Sequence, residues 1–195
     1  MRVRAWPVVF LVGVMILESP AAAPETVAGR SLAEWTAELA STSRTRRLRA
    51  ALTLPSFGPV AVKPLAKALG HDDPGVIYWA ASGLGDLAHK STRTRSNYER
   101  LRVLVKHKSI GLRLSAAYAL SRIGETGAGV VVLAKGLEHP HRGVACAAAD
   151  FLARIGPPAA SAVPALLVAA RHKDYHVKGA ANEALKRIRA EKGGK

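Results

Sequence analysis

One apolar pattern recurs five times along the chain and constrains the fold more than any other sequence feature. Its clearest copies lie at 144–155 and 177–188, with small or apolar residues at relative positions 0, 3, 4, 7, 8 and 11. These positions share one face of an α-helix. Helices that recur every 30 to 36 residues cannot bury such a face alone, so they stack on one another. We therefore predict an all-α fold, an α-solenoid of about four to five stacked helical hairpins.

The five copies align without gaps, and their columns describe the first helix of each hairpin. The alanine column contains Ala50, Ala80, Ala116, Ala148 and Ala181. The leucine column contains Leu54, Leu84, Leu120, Leu152 and Leu185. A column restricted to alanine predicts the points at which neighbouring helices approach most closely, because a bulkier side chain would overpack there. A second helix follows in four of the units, with its apolar face beginning at Val62, Tyr98, Val130 and Val163.

Two phrases of the alignment resemble a known repeat. The segments LRLSAAYALSRIG at 112–124 and AVPALL at 162–167 are similar to the HEAT repeat, in particular to the short bacterial type called the phycobilisome-lyase HEAT-like repeat. The resemblance covers roughly residues 44–190 and implies that the second helices line the concave side of the stack. It implies no single function, because one repeat fold serves scaffolds, lyases, hydroxylases and nucleic-acid enzymes.

The N-terminus has the organisation of a secretory signal peptide. A basic start at 1–4 precedes 13 mainly apolar residues at 5–17, and Ala21-Ala22-Ala23 offers a small-residue cleavage site. The apolar run is shorter than the roughly 20 residues that span a bilayer, so a stable transmembrane span is not expected. We predict a signal peptide at 1–23 and a chain exported to the periplasm or the extracellular space. An uncleaved, membrane-anchored form is the alternative.

The remainder divides into three segments. Residues 24–43 are predicted to be a linker and an N-terminal capping helix, because Ser31 and Glu34 have the spacing of a capping box. Residues 44–190 form the predicted repeat domain, and 191–195 a disordered polar tail. An insertion at 89–96 lengthens the second unit and predicts a basic loop.

The net charge of +15 favours an acidic partner. Basic residues recur on the second helices and at their ends, and the predicted binding residues are Lys63, Lys67, Arg102, Lys106, Lys135 and Arg171. On a concave surface they would bind an acidic protein segment or another polyanion. Nucleic acid is a further alternative, although aromatic side chains, which stack on bases, make up only 5% of the chain. No small-molecule substrate is indicated.

A histidine stands five positions before each of the last four first-helix patterns, where the resembled family usually has aspartate. Together with two nearby residues, the set is His71, His107, His139, His141, His172 and His176. One interpretation is a pH-sensitive or metal-contacting series of loops. The other is that each ring acts as a donor or cation at the negative end of the preceding helix. The spacing of stacked helices opposes one shared metal site, so no metal and no cofactor are predicted.

Catalytic signals are weak. The resemblance leaves a bilin-lyase-like or a metal-dependent hydroxylase-like enzyme as the alternative function, but the His-Glu dipeptides of the hydroxylases do not occur in this sequence. The single cysteine, Cys146, lies beside the apolar face and is predicted to be structural. The sequence therefore favours an exported, non-enzymatic interaction scaffold.

Overall fold

The computed structural model describes residues 24–88 and 90–190, and within these ranges helices dominate. The first helices of the units are α2 (Arg44–Thr53), α4 (Pro74–Leu87), α6 (Ile110–Ile123), α8 (Arg142–Ile155) and α10 (Tyr175–Arg189). The second helices are α3 (Val62–Ala68), α5 (Arg95–Leu104), α7 (Thr126–Gly136) and α9 (Val163–Ala169). A helix α1 (Leu32–Glu38) precedes them, and short 3₁₀ segments lie at 54–61, 90–92 and 157–162. The predicted all-α solenoid is confirmed.

The segment before α1 is not a simple linker. Strands β1 (Thr26–Val27) and β2 (Arg30–Ser31) form an antiparallel hairpin around Ala28 and Gly29, both with positive φ. The Trp35 indole donates a 2.8 Å hydrogen bond from Nε1 to the Val27 carbonyl, which fixes the hairpin on α1. The predicted capping box is present, with Ser31 and Glu34 bonded reciprocally. The predicted signal peptide and tail lie outside the described residues.

The insertion of the second unit is more ordered than a free loop. Its residues 90–92 form a 3₁₀ turn, and α5 already begins at Arg95. The Asn97 side chain is buried, and its Nδ2 donates a 3.0 Å hydrogen bond to the Thr92 carbonyl. Thr94 caps α5 by accepting a hydrogen bond from the Asn97 backbone N–H. These local bonds explain why the inserted residues extend the second helix. His89 lies outside the described residues.

The alanine and leucine columns form the centre of the stack. Every alanine of the column is fully buried, and the leucines are at most 6% exposed. The predicted face was slightly misplaced in α8, where Val144 and Ala147 are half-exposed and Ala145 and Ala149 are buried. The face rotates because α8 packs on α6, α7 and α10 at the same time.

Glycines allow close contacts between helices of the stack. A Cβ added to Gly136 of α7 would lie 3.0 Å from the Ala148 Cβ and 2.8 Å from Leu114 Cδ2. A Cβ on Gly85 of α4 would lie 3.1 Å from the Ala119 Cα. These approaches are closer than ordinary van der Waals contact, so glycine and alanine together set the spacing of the helices.

Glycine follows the last apolar residue of two first helices. Gly124 and Gly156 end α6 and α8 with φ values of 138° and 72°. A positive φ favours glycine at both helix ends, although the ψ angles differ from those of a left-handed helix. Ala88 occupies the same position in the second unit and is left-handed, with φ 40°. A non-glycine residue bears some strain there.

The two helix layers differ in how closely their members pack. Successive first helices lie directly against one another, with α4 on α6 and α8 on α10, whereas successive second helices touch only lightly. The expectation that the second helices line the concave side stays a prediction.

Candidate functional site

The predicted basic residues all lie on one surface, which we call the second-helix surface. It is the solvent-exposed side of α3, α5, α7 and α9 together with the residues that directly follow each helix. Its six predicted binding residues are all exposed: Lys63, Lys67, Arg102, Lys106, Lys135 and Arg171. The chain places them there because the buried triplets of the second helices occupy positions 0, 3 and 7, which leaves the intervening positions to solvent.

Arg102 differs from the other five because it is already paired. Its guanidinium binds the Glu125 carboxylate, with one Nε–Oε2 distance of 3.3 Å. The hydrogen bond from Arg102 to Glu125 raises the pKa of the guanidinium further. Glu125 precedes α7, so this ion pair joins the second unit to the third. Arg102 is therefore a contact between units rather than a free cation.

Within the described ranges, the other five cations form no ion pair. Large apolar side chains lie exposed among them, which the sequence interpretation did not anticipate. Val103 is 70% exposed, Val131 54% and Val168 73%. The sequence did contain an indication of this exposure, because these valines fall outside the buried triplets of the second helices. The second-helix surface thus combines free positive charge with exposed apolar area, a combination typical of interaction surfaces.

Four of these residues occupy equivalent positions. The penultimate residues of α3, α5, α7 and α9 are Lys67, Val103, Lys135 and Val168, and each is exposed. We call this set the penultimate row. Basic and apolar side chains alternate along it from unit to unit.

Cavities lie beside the penultimate row. A cavity of about 440 Å³ between the second and third units is lined by Lys135, Arg113 and His139 together with Val105 and Val132. A smaller one of about 250 Å³, next to α1, is lined by Lys67 and His71. A third of about 460 Å³ includes Val168 and His172. In these three units the histidine follows its penultimate residue by four positions, and the two side chains line the same cavity.

The histidine column has a shared structural role. Each Nδ1 accepts a hydrogen bond from the backbone N–H two residues later, at 2.8 Å for His71, 3.0 Å for His107, 3.1 Å for His139 and 3.0 Å for His172. The donor residue is in every case the N-cap of the next first helix. Aspartate and asparagine make the same bond in an Asx turn, so histidine replaces them. The expectation that these rings act as donors or cations at a helix end is wrong for Nδ1.

The turn around His71, between the first and second units, has the most extensive side-chain bonding. His71 accepts at Nδ1 from Asp73, so its proton is on Nε2, which donates to the Leu39 carbonyl at 3.0 Å. Asp73 caps α4 through Gly75 and pairs with Arg47 at 2.8 Å. The Arg47 hydrogen bond lowers the pKa of Asp73, so the carboxylate stays ionised. The side-chain bonds of this turn therefore connect α1, α2 and α4.

The remaining two histidines are not part of the column. His141 and His176 are exposed, and His141 contributes its backbone N–H to His139 while His176 packs against the Tyr175 ring. Within residues 24–88 and 90–190, no three His, Cys, Asp or Glu side chains come together as a metal site would require. The pH-sensitive interpretation of the six histidines remains a prediction.

The central first helices present a different surface. Tyr118 of α6 stacks on Phe151 of α8 at 4.7 Å and donates a 2.6 Å hydrogen bond to Asp86 of α4. Arg154 lies over the Tyr118 ring and pairs with both Asp86 and Asp150. Burial raises the pKa of the Tyr118 phenol, and the Asp86 hydrogen bond adds to this shift. Arg154 therefore neutralises the acidic side chains of α4 and α8, whereas Arg113 and Arg122 of α6 bond backbone carbonyls.

Cys146 is half-buried rather than buried. It packs against the core of the third and fourth units, and burial raises the pKa of its thiol. A raised pKa keeps the sulfur protonated and unreactive near neutral pH, in agreement with a structural role.

Comparison with known proteins agrees with this architecture. Residues 130–193, which contain most of α7 and all of α8, α9 and α10, match the sequence profile of HEAT repeats. This part of the chain is therefore similar to HEAT repeats. No curated protein sequence matches the chain. In the described ranges, no helix has both the length and the apolar composition needed to cross a bilayer.

Solved structures share the fold. An engineered protein is 25% identical over 82% of this chain and 79% of its own, with a TM-score of 0.52. The complex of CpcE and CpcF of phycocyanin lyase from Nostoc sp. PCC7120 is 23% identical over 90% of this chain and 70% of that one, with a TM-score of 0.54. A designed armadillo repeat protein in complex with the peptide (KR)4 is 18% identical over 80% and 81%, with a TM-score of 0.51. The chain thus shares the stacked-repeat solenoid fold of these structures.

The histidine bond can be tested in the third unit. We expect His139→Ala to lower the free energy of unfolding by about 1 kcal/mol, because the backbone N–H of His141 loses its acceptor. His139→Asn should stay within about 0.5 kcal/mol of the wild type, since the Asn side chain accepts the same bond. Urea unfolding measures both. His176→Ala is the control, and equal losses for Ala and Asn at position 139 would contradict the assigned role.

Proposed function

We propose that this protein is a non-enzymatic peptide-binding scaffold, and that its second-helix surface binds an acidic segment of a partner protein. The observation that carries the proposal is the contrast between the two layers. Asp86 and Asp150 of the first helices α4 and α8 both pair with Arg154. On the second-helix surface, five of the six predicted cations have no ion pair among the described residues, and no acidic side chain neutralises them. A surface of unpaired cations beside exposed valines gains most from an acidic and partly apolar ligand.

The partner chemistry follows from the side chains present. Lys63, Lys67, Lys106, Lys135 and Arg171 supply positive charge along the whole length of the stack. The exposed Val103, Val131 and Val168 supply apolar area between the charges. A peptide offers carboxylates and apolar side chains in turn, which a phosphate backbone does not. The armadillo repeat protein of similar fold that binds a (KR)4 peptide supports peptide binding by such a scaffold.

We propose further that the chain acts after export. This part rests on the sequence of residues 1–23, which has the basic, apolar and small-residue segments of a signal peptide. Mass spectrometry of the chain recovered from an envelope or culture-medium fraction tests it. A mature N-terminus at Pro24 is expected, and recovery of only the intact chain from the cytosolic fraction would contradict it.

The binding proposal is tested with labelled probes at low salt. Fluorescence anisotropy compares a twelve-residue glutamate peptide with a twelve-nucleotide thymidine strand. We expect the triple variant Lys67→Gln, Lys135→Gln, Arg171→Gln to bind the glutamate peptide at least tenfold more weakly, because three exposed charge contacts are lost.

A second triple variant controls for total charge. Arg49→Gln, Lys178→Gln and Lys186→Gln remove three exposed charges from first helices at the two ends of the stack. This variant should bind the peptide within about twofold of the wild type. Equal losses in the two triples would show a non-specific charge effect, and tighter binding of the thymidine strand would favour a nucleic-acid partner instead.

A further inference from the structure

We propose, on the basis of the function above, that the cavity next to α1 binds one apolar side chain of the acidic segment, while Lys67 pairs with a neighbouring carboxylate of that segment. This cavity of about 250 Å³ lies between the C-terminal end of α1 and helix α3. We call it the anchor cavity. Because α3 is the first of the second helices, the anchor cavity lies at the N-terminal end of the second-helix surface.

The walls of the anchor cavity are mainly apolar. Hydrocarbon comes from both sides of the cavity, through Leu39, Ala40, Pro64 and Ala68. Leu39 and Ala68 are buried, so part of the wall belongs to the core. The hydroxyl of Thr36, which also lines the cavity, donates a 2.7 Å hydrogen bond to the Leu32 carbonyl and is already satisfied. An apolar ligand group therefore gains most here, because it removes its own surface and that of the walls from water.

Lys67 is the charged group that this cavity offers to a ligand. The His71 ring also lines the cavity, but its Nδ1 accepts from the Asp73 backbone N–H at 2.8 Å and its Nε2 donates to the Leu39 carbonyl at 3.0 Å. Lys67 is exposed and forms no ion pair within the described part of the chain. None of the lining residues is acidic. One ammonium group is thus available for one carboxylate of the ligand.

The volume of the anchor cavity selects the size of the ligand group. An engineered cavity of about 150 Å³ in another protein holds benzene, whereas pockets for drug-sized ligands measure about 300–1,000 Å³. The anchor cavity, at about 250 Å³, lies between these two sizes. Its occupant is therefore a single side chain of the size of leucine or phenylalanine rather than a complete small molecule.

Other cavities of the described residues are less suited to an apolar side chain. The cavity of about 440 Å³ contains the charges of both Arg113 and Glu138. An open cavity of about 500 Å³ on the other side of His71 is lined by Arg47 and Asp73. In the cavity of about 460 Å³ every lining side chain is exposed, so a group bound there stays in contact with water. The anchor cavity combines buried apolar walls with a single unpaired cation.

Acidic peptides with one apolar residue test the anchor cavity. The probes EEEEEELEEEEE and EEEEEEAEEEEE have the same length and charge and differ in one side chain. Fluorescence anisotropy with the full chain at low salt should show about tenfold tighter binding of the leucine probe, because the larger side chain removes more apolar surface from water. Equal binding of the two probes would overturn the anchor and leave the proposed function in place.

A variant that fills the cavity locates the preference for leucine. Ala40 is exposed, lines the anchor cavity and follows α1, so Ala40→Leu adds volume at the edge of the cavity without entering the core. This variant should bind the two probes within about twofold of each other, because the cavity is already occupied. Ala128→Leu, at an exposed alanine of α7 outside the cavities described above, is the control and should keep the full preference. A preference retained in Ala40→Leu, or lost equally in the control, would overturn the assignment to this cavity.

A third probe tests the pairing with Lys67. The peptide EEEEEQLQEEEE keeps the leucine but replaces the two flanking carboxylates. The wild type should bind it about fivefold more weakly than the leucine probe, because the carboxylate next to the anchor is lost. Lys67→Gln should remove this difference, whereas Lys106→Gln, at an exposed lysine of the same surface, should retain it. Equal effects of the two variants would show that Lys67 has no special part in binding.

Other occupants of the cavity would give different results. Light scattering shows whether the chain associates with itself. If Ala40→Leu dissociated such an assembly and the wild type did not prefer the leucine probe, the cavity would belong to a contact between copies, and the peptide anchor would be overturned. Failure of every acidic peptide to bind would overturn both the anchor and the proposed function.

Discussion

Gly129→Ala should be among the most destabilising single changes in the chain, with a loss of about 3 kcal/mol in the free energy of unfolding. A Cβ at Gly129 would overlap the Ala117 carbonyl oxygen and the Ser121 hydroxyl of α6. One of these two atoms belongs to the backbone, so the clash cannot be relieved by a change of rotamer alone. Helix α7 must move away from α6, and overpacking of this kind costs about 1–3 kcal/mol or more.

Gly127 in the same helix provides a matched control. It is exposed, and an added Cβ would have no neighbour within 4 Å. Gly127→Ala should therefore raise the free energy of unfolding by about 0.5 kcal/mol through helix propensity. Urea unfolding of both variants gives the comparison. If the two alanines changed stability in the same direction, the close approach of α7 to α6 would be refuted.

The stack was predictable from the sequence because the same pattern of buried positions repeats in each unit. The alanine and leucine columns are all buried, and every first and second helix lies where the apolar pattern places it. Gly129 was not predictable in the same way. Its importance depends on the side chains of another helix, and the sequence of α7 alone does not contain that information.

The role of the histidines shows a second limit. Their regular spacing was visible, but a ring nitrogen can donate or accept, and only its orientation decides between the two. The ring orientation makes Nδ1 an acceptor for the N-cap of the next helix. The substitution of histidine for aspartate is therefore conservative in bonding although it changes charge.

The placement of the candidate site was predicted in part. The basic residues do share an exposed surface, because the spacing of the buried triplets fixes which positions face solvent. The position of that surface on the concave side stays a prediction, because curvature depends on the relative packing of the two layers. The pairing of Arg102 with Glu125 was also missed, because the packing of two units, rather than helical spacing, brings together residues that are 23 positions apart.

Tyr118 is the second position where we expect a large effect. It follows the alanine column by two residues and lies outside the predicted apolar face, yet it is only 1% exposed. The phenol ring fills the space between α4 and α8, stacked on Phe151 and covered by Arg154. A Cβ at Gly85 would lie 2.6 Å from this ring, so α4 approaches it without a side chain between them.

Tyr118→Ala should lower the free energy of unfolding by about 3–5 kcal/mol, since it removes a buried aromatic ring and leaves a cavity shared by three units. Tyr118→Phe should cost only about 1 kcal/mol, because Asp86 loses one hydrogen bond but keeps its pairing with Arg154. Tyr175→Ala, at a tyrosine that is 73% exposed, should change stability by less than about 0.5 kcal/mol. Thermal and urea unfolding measure all three. A loss for Tyr118→Ala no larger than for Tyr118→Phe would mean that the ring does not join the units, and the cohesion of the central first helices would then rest on the Asp86–Arg154 pair.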